Sequence, residues 1–182
     1  MEEIKRHNTE FVASGAGKAF EASKYPSKKI AIVTCMDTRL VTMLPAALGI
    51  KNGDVKMIKN AGGLVTEPYS DSMRSILVAV YELGVDHVMI IAHTNCGVEG
   101  MKGEEFLHEM EKKGISHDAI EHIKSTGVDL ERWLSGFTDS KEAVKESISL
   151  VKNHPLLPRD IKVTGHIIDT ITGELIDVAL NN

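Results

Sequence analysis

Two short stretches of the sequence place metal-ligating and charged side chains directly after apolar runs. TCMDTRL, at residues 34–40, carries Cys35, Asp37 and Arg39 on alternate positions, and AHTNCG, at residues 92–97, carries His93 and Cys96. The chain has two cysteines, so each stretch holds one of them. Two thiolates and an imidazole suit zinc better than magnesium or calcium, and they occur in catalytic sites whose fourth position is left for water. Cys35, His93 and Cys96 are therefore predicted to bind Zn2+.

Asp37 and Arg39 predict a second feature of this site. Asp37 is near enough to Cys35 in the chain to reach the fourth zinc position itself, whereas a bidentate pair with Arg39 would hold its carboxylate away. With that pair formed the site is open, and zinc lowers the pKa of its water to about 7. With Asp37 on the metal the site is closed. Asp37 and Arg39 are thus candidate catalytic residues.

Each motif has a simpler explanation when it is taken alone. A single buried cysteine usually packs as a small apolar residue. An acid beside an arginine usually forms a solvated pair of little energetic value, and NAGG at residues 60–63 is a common turn sequence. The functional interpretation therefore depends on whether the fold brings the motifs together.

The hydrophobic pattern predicts an α/β fold. Short apolar runs typical of strands occur at residues 29–34, 54–58, 87–92, 162–169 and 174–180. Helical segments are expected at residues 1–22, 70–83, 103–113, 117–125 and 139–153. This alternation favours a central, mostly parallel β-sheet flanked by helices, with an antiparallel edge strand at the C-terminus after the turn at residues 172–173.

This fold would unite the motifs at one edge of the sheet. The carboxyl ends of parallel strands share an edge, and ligands bind in the crevice outside it. Cys35 comes immediately after the first predicted strand, His93 comes immediately after the third, and the NAGG loop follows the second. We expect the backbone of Ala61, Gly62 and Gly63 to line a substrate pocket beside the metal, because glycine lets amide groups approach a small ligand closely.

Length and charge limit the remaining possibilities. A chain of 182 residues with 42% hydrophobic residues suits one domain over residues 1–182. A net charge of −5 argues against nucleic acid as a partner, and no apolar stretch approaches the roughly 18 residues that would cross a membrane. The N-terminal sequence lacks the apolar segment of a signal peptide. We therefore expect a cytoplasmic protein with reduced cysteines.

Taken together, the motifs resemble those of the β-class carbonic anhydrases. That family has C-x-D-x-R, then an N-A-G-like loop, then H-x-x-C-G, and residues 35–39, 60–63 and 93–97 match it in order and spacing. The resemblance implies zinc on Cys35, His93 and Cys96, an Asp37–Arg39 dyad, and reversible hydration of carbon dioxide to bicarbonate by metal-bound hydroxide. It also implies a homodimer or homotetramer in which residues 1–24 form a helical arm that packs on a partner subunit.

The chain departs from parts of that family. The plant-type branch places a glutamine against its substrate, and this chain contains no glutamine, so the resemblance is to the shorter bacterial and archaeal branch. Many of those relatives have aspartate before the second cysteine, where this chain has Asn95. Because that residue is not a ligand, its expected effect is on the hydrogen bonding around the metal.

Two other functions stay open at this level. A carbon disulfide or carbonyl sulfide hydrolase resembles this family in fold and ligands, and access to the pocket would separate it from a carbonic anhydrase. A non-catalytic zinc protein would use Asp37 as the fourth ligand of a closed site, together with the two cysteines and His93, although such a site needs no arginine to hold Asp37 away. A thiol oxidoreductase is disfavoured because the chain has no C-x-x-C motif.

Overall fold

A computed structural model describes residues 1–180 as one five-stranded sheet with helices packed around it. The strands are β1 (Ile30–Cys35), β2 (Val55–Asn60), β3 (His87–His93), β4 (Lys162–Ile168) and β5 (Leu175–Val178). The helices are α1 (Glu2–Ser14), α2 (Leu40–Ala47), α3 (Asp71–Leu83), α4 (Gly103–Lys112), α5 (His117–Ser125), α6 (Leu130–Leu134) and α7 (Ser140–Lys152). The predicted α/β class is confirmed.

The strand order places the site motifs on neighbouring strands. The order is β2-β1-β3-β4-β5. β1 pairs in parallel with β2 and β3, β3 pairs in parallel with β4, and β5 runs antiparallel to β4. β1 and β3 are mostly buried, as is usual for central strands rich in β-branched residues. The carboxyl ends of β1, β2 and β3 therefore lie side by side, and the predicted antiparallel edge strand is confirmed.

Each face of the sheet carries its own hydrophobic cluster. α3 and α7 cover one face, and α7 lies so close to β4 that a Cβ on Gly165 would collide with the side chains of Val144 and Ile148. α2 covers the other face with Leu44, which belongs to a buried cluster that also contains Ile91 and both cysteines. The candidate ligands thus sit at the margin of a packed core, which fixes the strand ends that carry them.

Helix α3 follows its capping signals. Ser70 Oγ accepts a hydrogen bond from the Met73 N–H at 3.3 Å, and Gly84 ends the helix with φ 71°. Asp139 caps α7 in the same way by accepting from the N–H groups two and three residues further on. These helices begin and end where the sequence predicted.

Three helical segments differ from the sequence-based expectation. The helix predicted over residues 1–22 stops at Ser14, because Gly15 adopts φ 69°, and a short 3-10 helix follows at Ala16–Phe20. α2 was not predicted; it contains Pro45, and proline normally disfavours a helix interior. α6 was also missed, since it has only five residues.

Helix α1 is exposed to solvent along its whole length. None of its residues is buried, and Ile4 and Val12 are each 69% exposed. Within residues 1–180, no helix combines the length and hydropathy that a membrane crossing requires.

Candidate metal centre

The structure brings the two ligand motifs together at the carboxyl edge of the sheet. Cys35 is the last residue of β1 and His93 is the last residue of β3. Cys96 follows β3 by three residues, and its Sγ atom lies 4.0 Å from Cys35 Sγ. The two sulfur atoms and a ring nitrogen of His93 all lie within 4.8 Å of one another.

These distances fit a single tetrahedral metal ion. Two thiolates bound to one zinc at about 2.3 Å would lie about 3.8 Å apart, close to the 4.0 Å between the two sulfurs. Both cysteines are free thiols, and all three candidate ligands are buried. Sulfur and imidazole donors select zinc-like metals over hard cations.

His93 has the tautomer that a metal ligand requires. Its Nδ1 atom lies 2.9 Å from the Thr94 carbonyl oxygen, which can only accept, so Nδ1 carries the hydrogen. Nε2 is then the lone-pair nitrogen. Among residues 1–180, Nε2 of His93 is the one buried side-chain nitrogen or oxygen atom that lacks a hydrogen-bond partner. A metal ion held by this nitrogen and the two sulfurs would satisfy the otherwise unpaired buried acceptor.

The surroundings of Cys96 favour its protonated thiol. Burial raises the pKa of the Cys96 thiol, the nearby Cys35 raises it further, and the backbone N–H groups of Val98 and Glu99 oppose that rise. Those N–H groups belong to a turn over residues 97–100. Binding of a metal ion would therefore release protons from this site.

Asp37 and Arg39 form the predicted bidentate pair next to the cluster. Arg39 Nε–H donates to Asp37 Oδ1 at 2.9 Å, and Arg39 Nη2–H donates to Asp37 Oδ2 at 2.8 Å. The Arg39 backbone N–H adds a third bond to Oδ1 at 2.9 Å. These bonds hold the pKa of the Asp37 carboxyl well below its usual range, so the group is ionised near neutrality. Asp37 Oδ2 lies 3.9 Å from His93 Nε2, at the edge of the ligand cluster.

Two contacts to Arg39 come from residues that the sequence did not single out for this purpose. Arg39 Nη2–H also donates to the backbone carbonyl of Asn95 at 2.8 Å, and Nη1 lies 3.5 Å from Thr170 Oγ1. Asn95 has φ 54°, a left-handed conformation that asparagine tolerates better than most residues. Since Asn95 reaches Arg39 through its backbone, an amide in place of aspartate leaves this contact intact. Only the left-handed tendency of asparagine could have indicated this turn from the sequence.

The NAGG loop is shaped by its own asparagine. Asn60 Oδ1 accepts hydrogen bonds from the N–H groups of Gly63 and Leu64 at 2.9 and 3.2 Å, and Asn60 Nδ2 donates to the Leu64 carbonyl at 2.6 Å. Gly63 has φ 70° and packs against the end of β1, the strand that carries Cys35. A Cβ at this position would lie 2.5 Å from the Cys35 backbone nitrogen. The loop therefore buttresses the backbone of Cys35.

The other two residues predicted to line a pocket occupy different environments. Ala61 is exposed, whereas Gly62 is buried beside the ring of Phe137. Phe137 packs on the same hydrophobic cluster as the two cysteines. No pattern in the sequence indicated this contact, because Phe137 lies in a segment without recognisable motifs.

Comparison with known proteins identifies related chains. Residues 30–175 match the family model described as carbonic anhydrase. The chain is 44% identical over 178 residues to "Putative carbonic anhydrase YvdA" of Bacillus subtilis (strain 168), covering 98% of this chain and 90% of that protein. It is 27% identical over 161 residues to the carbon disulfide hydrolase of Acidianus sp. (strain A1-3), covering 82% and 76%. The crystal structure of β-carbonic anhydrase isoform I from Trichomonas vaginalis matches with a TM-score of 0.87 at 36% identity, over 98% of each chain.

Proposed function

Because the chain belongs to the β-class carbonic anhydrase family, we propose that it catalyses the reversible hydration of carbon dioxide to bicarbonate. The observation that carries this proposal is the Cys35–His93–Cys96 cluster beside an Asp37 whose two oxygens are both held by Arg39. A metal ion with these three protein ligands has one position left for a reactant, as long as the Asp37 carboxylate is held away from it.

We assign Zn2+ to this cluster, with Cys35, His93 and Cys96 as the residues that hold it. The sulfur–sulfur separation, the free thiols and the lone-pair Nε2 of His93 all support this assignment. Zinc bound there would lower the pKa of a water molecule to about 7 and so supply a nucleophile near neutrality.

The residues around the cluster would orient and shield the reactants. The ionised Asp37 Oδ2 faces the cluster and can accept the hydrogen of the attacking water, while Arg39 holds that oxygen in place. The partly buried ring of Phe137 and the backbone at Gly62 would exclude bulk water on one side. Carbon dioxide is small and neutral, so it needs only a narrow apolar pocket next to the nucleophile.

We further propose that the protein is a homodimer or homotetramer with residues 1–24 as its arm. The support is the unburied α1, with exposed apolar side chains at Ile4 and Val12, and the 3-10 helix after it, in which Phe20 is exposed as well. Ile4 and Val12 are eight residues apart and so lie on one face of the helix, and an exposed apolar face is a surface that a partner subunit can cover. A cytoplasmic location also belongs to this proposal, because the thiols of Cys35 and Cys96 must stay reduced to bind metal.

Stopped-flow hydration of carbon dioxide tests the proposed activity. The assay uses protein with one zinc per chain, over about pH 6.5 to 9, and activity should rise with pH. Asp37→Ala should keep its zinc and lose rate, whereas Thr38→Ala, at an exposed position in the same loop, should behave like wild type. A zinc-loaded wild type that is inactive throughout this range would rule out the proposal.

The second candidate is hydrolysis of carbon disulfide or carbonyl sulfide. It is favoured by the similarity to the Acidianus carbon disulfide hydrolase. Release of hydrogen sulfide from either substrate, measured on the same zinc-loaded preparation, separates the two functions. Sulfide release without carbon dioxide hydration would replace the first proposal with the second.

A further inference from the structure

We propose that Thr170, in the turn between β4 and β5, is a positioning residue that fixes the Arg39 guanidinium and thereby keeps Asp37 away from the metal position. This inference rests on the proposed function, since it concerns which group occupies the fourth position. It assigns a role to a residue 131 positions away from Arg39 in the sequence.

The guanidinium of Arg39 is held from three directions. Its Nε and Nη2 hydrogens bind the two Asp37 oxygens, a second Nη2 hydrogen binds the Asn95 carbonyl at 2.8 Å, and Nη1 faces Thr170 Oγ1 at 3.5 Å. The contact to Thr170 is the longest of these and, among residues 1–180, the only one made by the outer nitrogen, Nη1. Without it the plane of the guanidinium could rotate about its bonds to Asp37.

Thr170 is itself fixed to the loop that carries the metal ligands. Its backbone N–H donates to Thr94 Oγ1 at 3.0 Å, and its hydroxyl lies 3.4 Å from the Thr94 carbonyl oxygen. That carbonyl also accepts the hydrogen of His93 Nδ1 at 2.9 Å. Asp169, the residue before Thr170, accepts from Thr94 Oγ1 at 3.3 Å and from the backbone N–H groups of the turn. One small network therefore orients a candidate ligand and the arginine of the dyad together.

The Asp37–Arg39 ion pair is too weak to hold Asp37 in place without further contacts to Arg39. The Arg39 side chain is 44% exposed, and an exposed ion pair contributes only about 0–1 kcal/mol because water competes for both partners. Asp37 Oδ2 is already only 3.9 Å from His93 Nε2, so a small rotation would carry it into the cluster. Contacts from Asn95 and Thr170 reduce the freedom of the arginine and favour the arrangement in which Asp37 is held back.

Replacing the hydroxyl tests this role directly. Thr170→Val removes the hydroxyl at nearly constant volume, and Thr170→Ser restores it. Thr172→Val is the matched control, because Thr172 Oγ1 binds Asp169 in the same turn without contacting Arg39. Cobalt(II)-substituted protein is titrated with azide and followed by its visible absorption, which reports whether the fourth position accepts an outside ligand. Carbon dioxide hydration is measured in parallel on the zinc forms.

We expect Thr170→Val to weaken azide binding about three- to tenfold and to lower kcat/KM by the same factor. This is the effect of losing one hydrogen bond to a charged group that is partly solvated. Thr170→Ser and Thr172→Val should stay within about twofold of wild type on the same scale. If Thr170→Val binds azide with an affinity within about twofold of wild type, the proposal is overturned. If the valine variant does not fold by circular dichroism, Thr170→Ala removes the same hydroxyl and carries the same expectation.

The two proposals fail in different ways. Wild-type cobalt protein that binds azide, together with a zinc form that does not hydrate carbon dioxide, would refute the proposed activity and leave the role of Thr170 to be decided by the variants. If the wild-type enzyme is active and Thr170→Val binds azide as wild type does, the role of Thr170 is refuted and the proposed activity is not.

Discussion

Replacement of Gly63 by alanine should destabilise the fold by more than any backbone preference explains. The residue has φ 70°, and an added Cβ would lie 2.5 Å from the Cys35 nitrogen and 2.8 Å from the Thr34 carbonyl carbon. The left-handed conformation costs about 1–2 kcal/mol for a residue with a Cβ. Overpacking against backbone atoms adds about 1–3 kcal/mol, because a central strand cannot move aside as a flexible side chain can. We therefore expect a loss of about 2–5 kcal/mol.

Gly84→Ala provides the control for the conformational part of this loss. Gly84 has φ 71°, nearly the same as Gly63, but a Cβ there would meet no atom within 4 Å. This variant should lose only the cost of the left-handed conformation, about 1–2 kcal/mol. Urea unfolding of the zinc-free proteins gives both values, provided that the m-value is unchanged.

The difference between the two variants measures the collision with the ligand strand. If Gly63→Ala loses no more stability than Gly84→Ala, the loop does not pack against Cys35 as closely as described. If the collision is real, the relief of strain must move the Cys35 backbone, and zinc affinity should fall in Gly63→Ala but not in Gly84→Ala. Competition with a chromogenic zinc chelator measures that affinity.

Three further perturbations follow from other parts of the chain. Ser147→Ala should cost about 2–4 kcal/mol in urea unfolding, because the buried Ser147 hydroxyl bonds both the N–H and the carbonyl of Val65 at 3.0 Å, and both groups would be left unpaired; a loss below about 1 kcal/mol would contradict this pairing. Hydrogen bonds from the backbone N–H of Glu142 and then that of Lys141 lower the pKa of the Asp139 carboxyl in the folded protein. The ionised carboxyl therefore stabilises the fold above its unfolded pKa of about 4, and this stabilisation is lost as the pH falls below that value. Asp139→Asn keeps the capping acceptor and should lose less stability than wild type between about pH 5 and pH 3, and equal losses would count against the cap. Removal of zinc with a chelator should lower the urea midpoint, and added zinc should restore it. When zinc had been present at a thousandfold excess over its dissociation constant, the free energy of unfolding should fall by about 4 kcal/mol.

The sheet and the ligand cluster could be predicted from the sequence for a physical reason. Short apolar runs rich in β-branched residues, such as those ending at Cys35 and His93, are typical of central strands buried on both faces. Once both are parallel strands, their carboxyl ends must meet at one edge, and the two ligand motifs meet with them. The type of fold and the position of the cluster follow from patterning alone, with no knowledge of side-chain packing.

Other features could not be predicted because they arise from contacts between distant segments. α2 packs on the core through Leu44 although Pro45 lowers its intrinsic helix propensity. The helix expected over residues 1–22 breaks at Gly15, where a single left-handed residue ends α1. Phe137 reaches the cluster of the two cysteines only because the chain returns there after three short helices. Local sequence carries no signal for such returns.

The Asp37–Arg39 pair shows how the arrangement of a local motif depends on the tertiary structure. Asp37 and Arg39 are two residues apart, and their pairing could be proposed from the sequence, but an isolated pair of this kind is weak. The fold adds the carbonyl of Asn95 and the hydroxyl of Thr170, which come from the loop after β3 and the turn after β4. A purely structural zinc site would gain nothing from this arrangement, because Asp37 would be most useful as a fourth ligand. That both of its oxygens are instead engaged by an arginine, itself held by two other segments, argues for a site that keeps one metal position free.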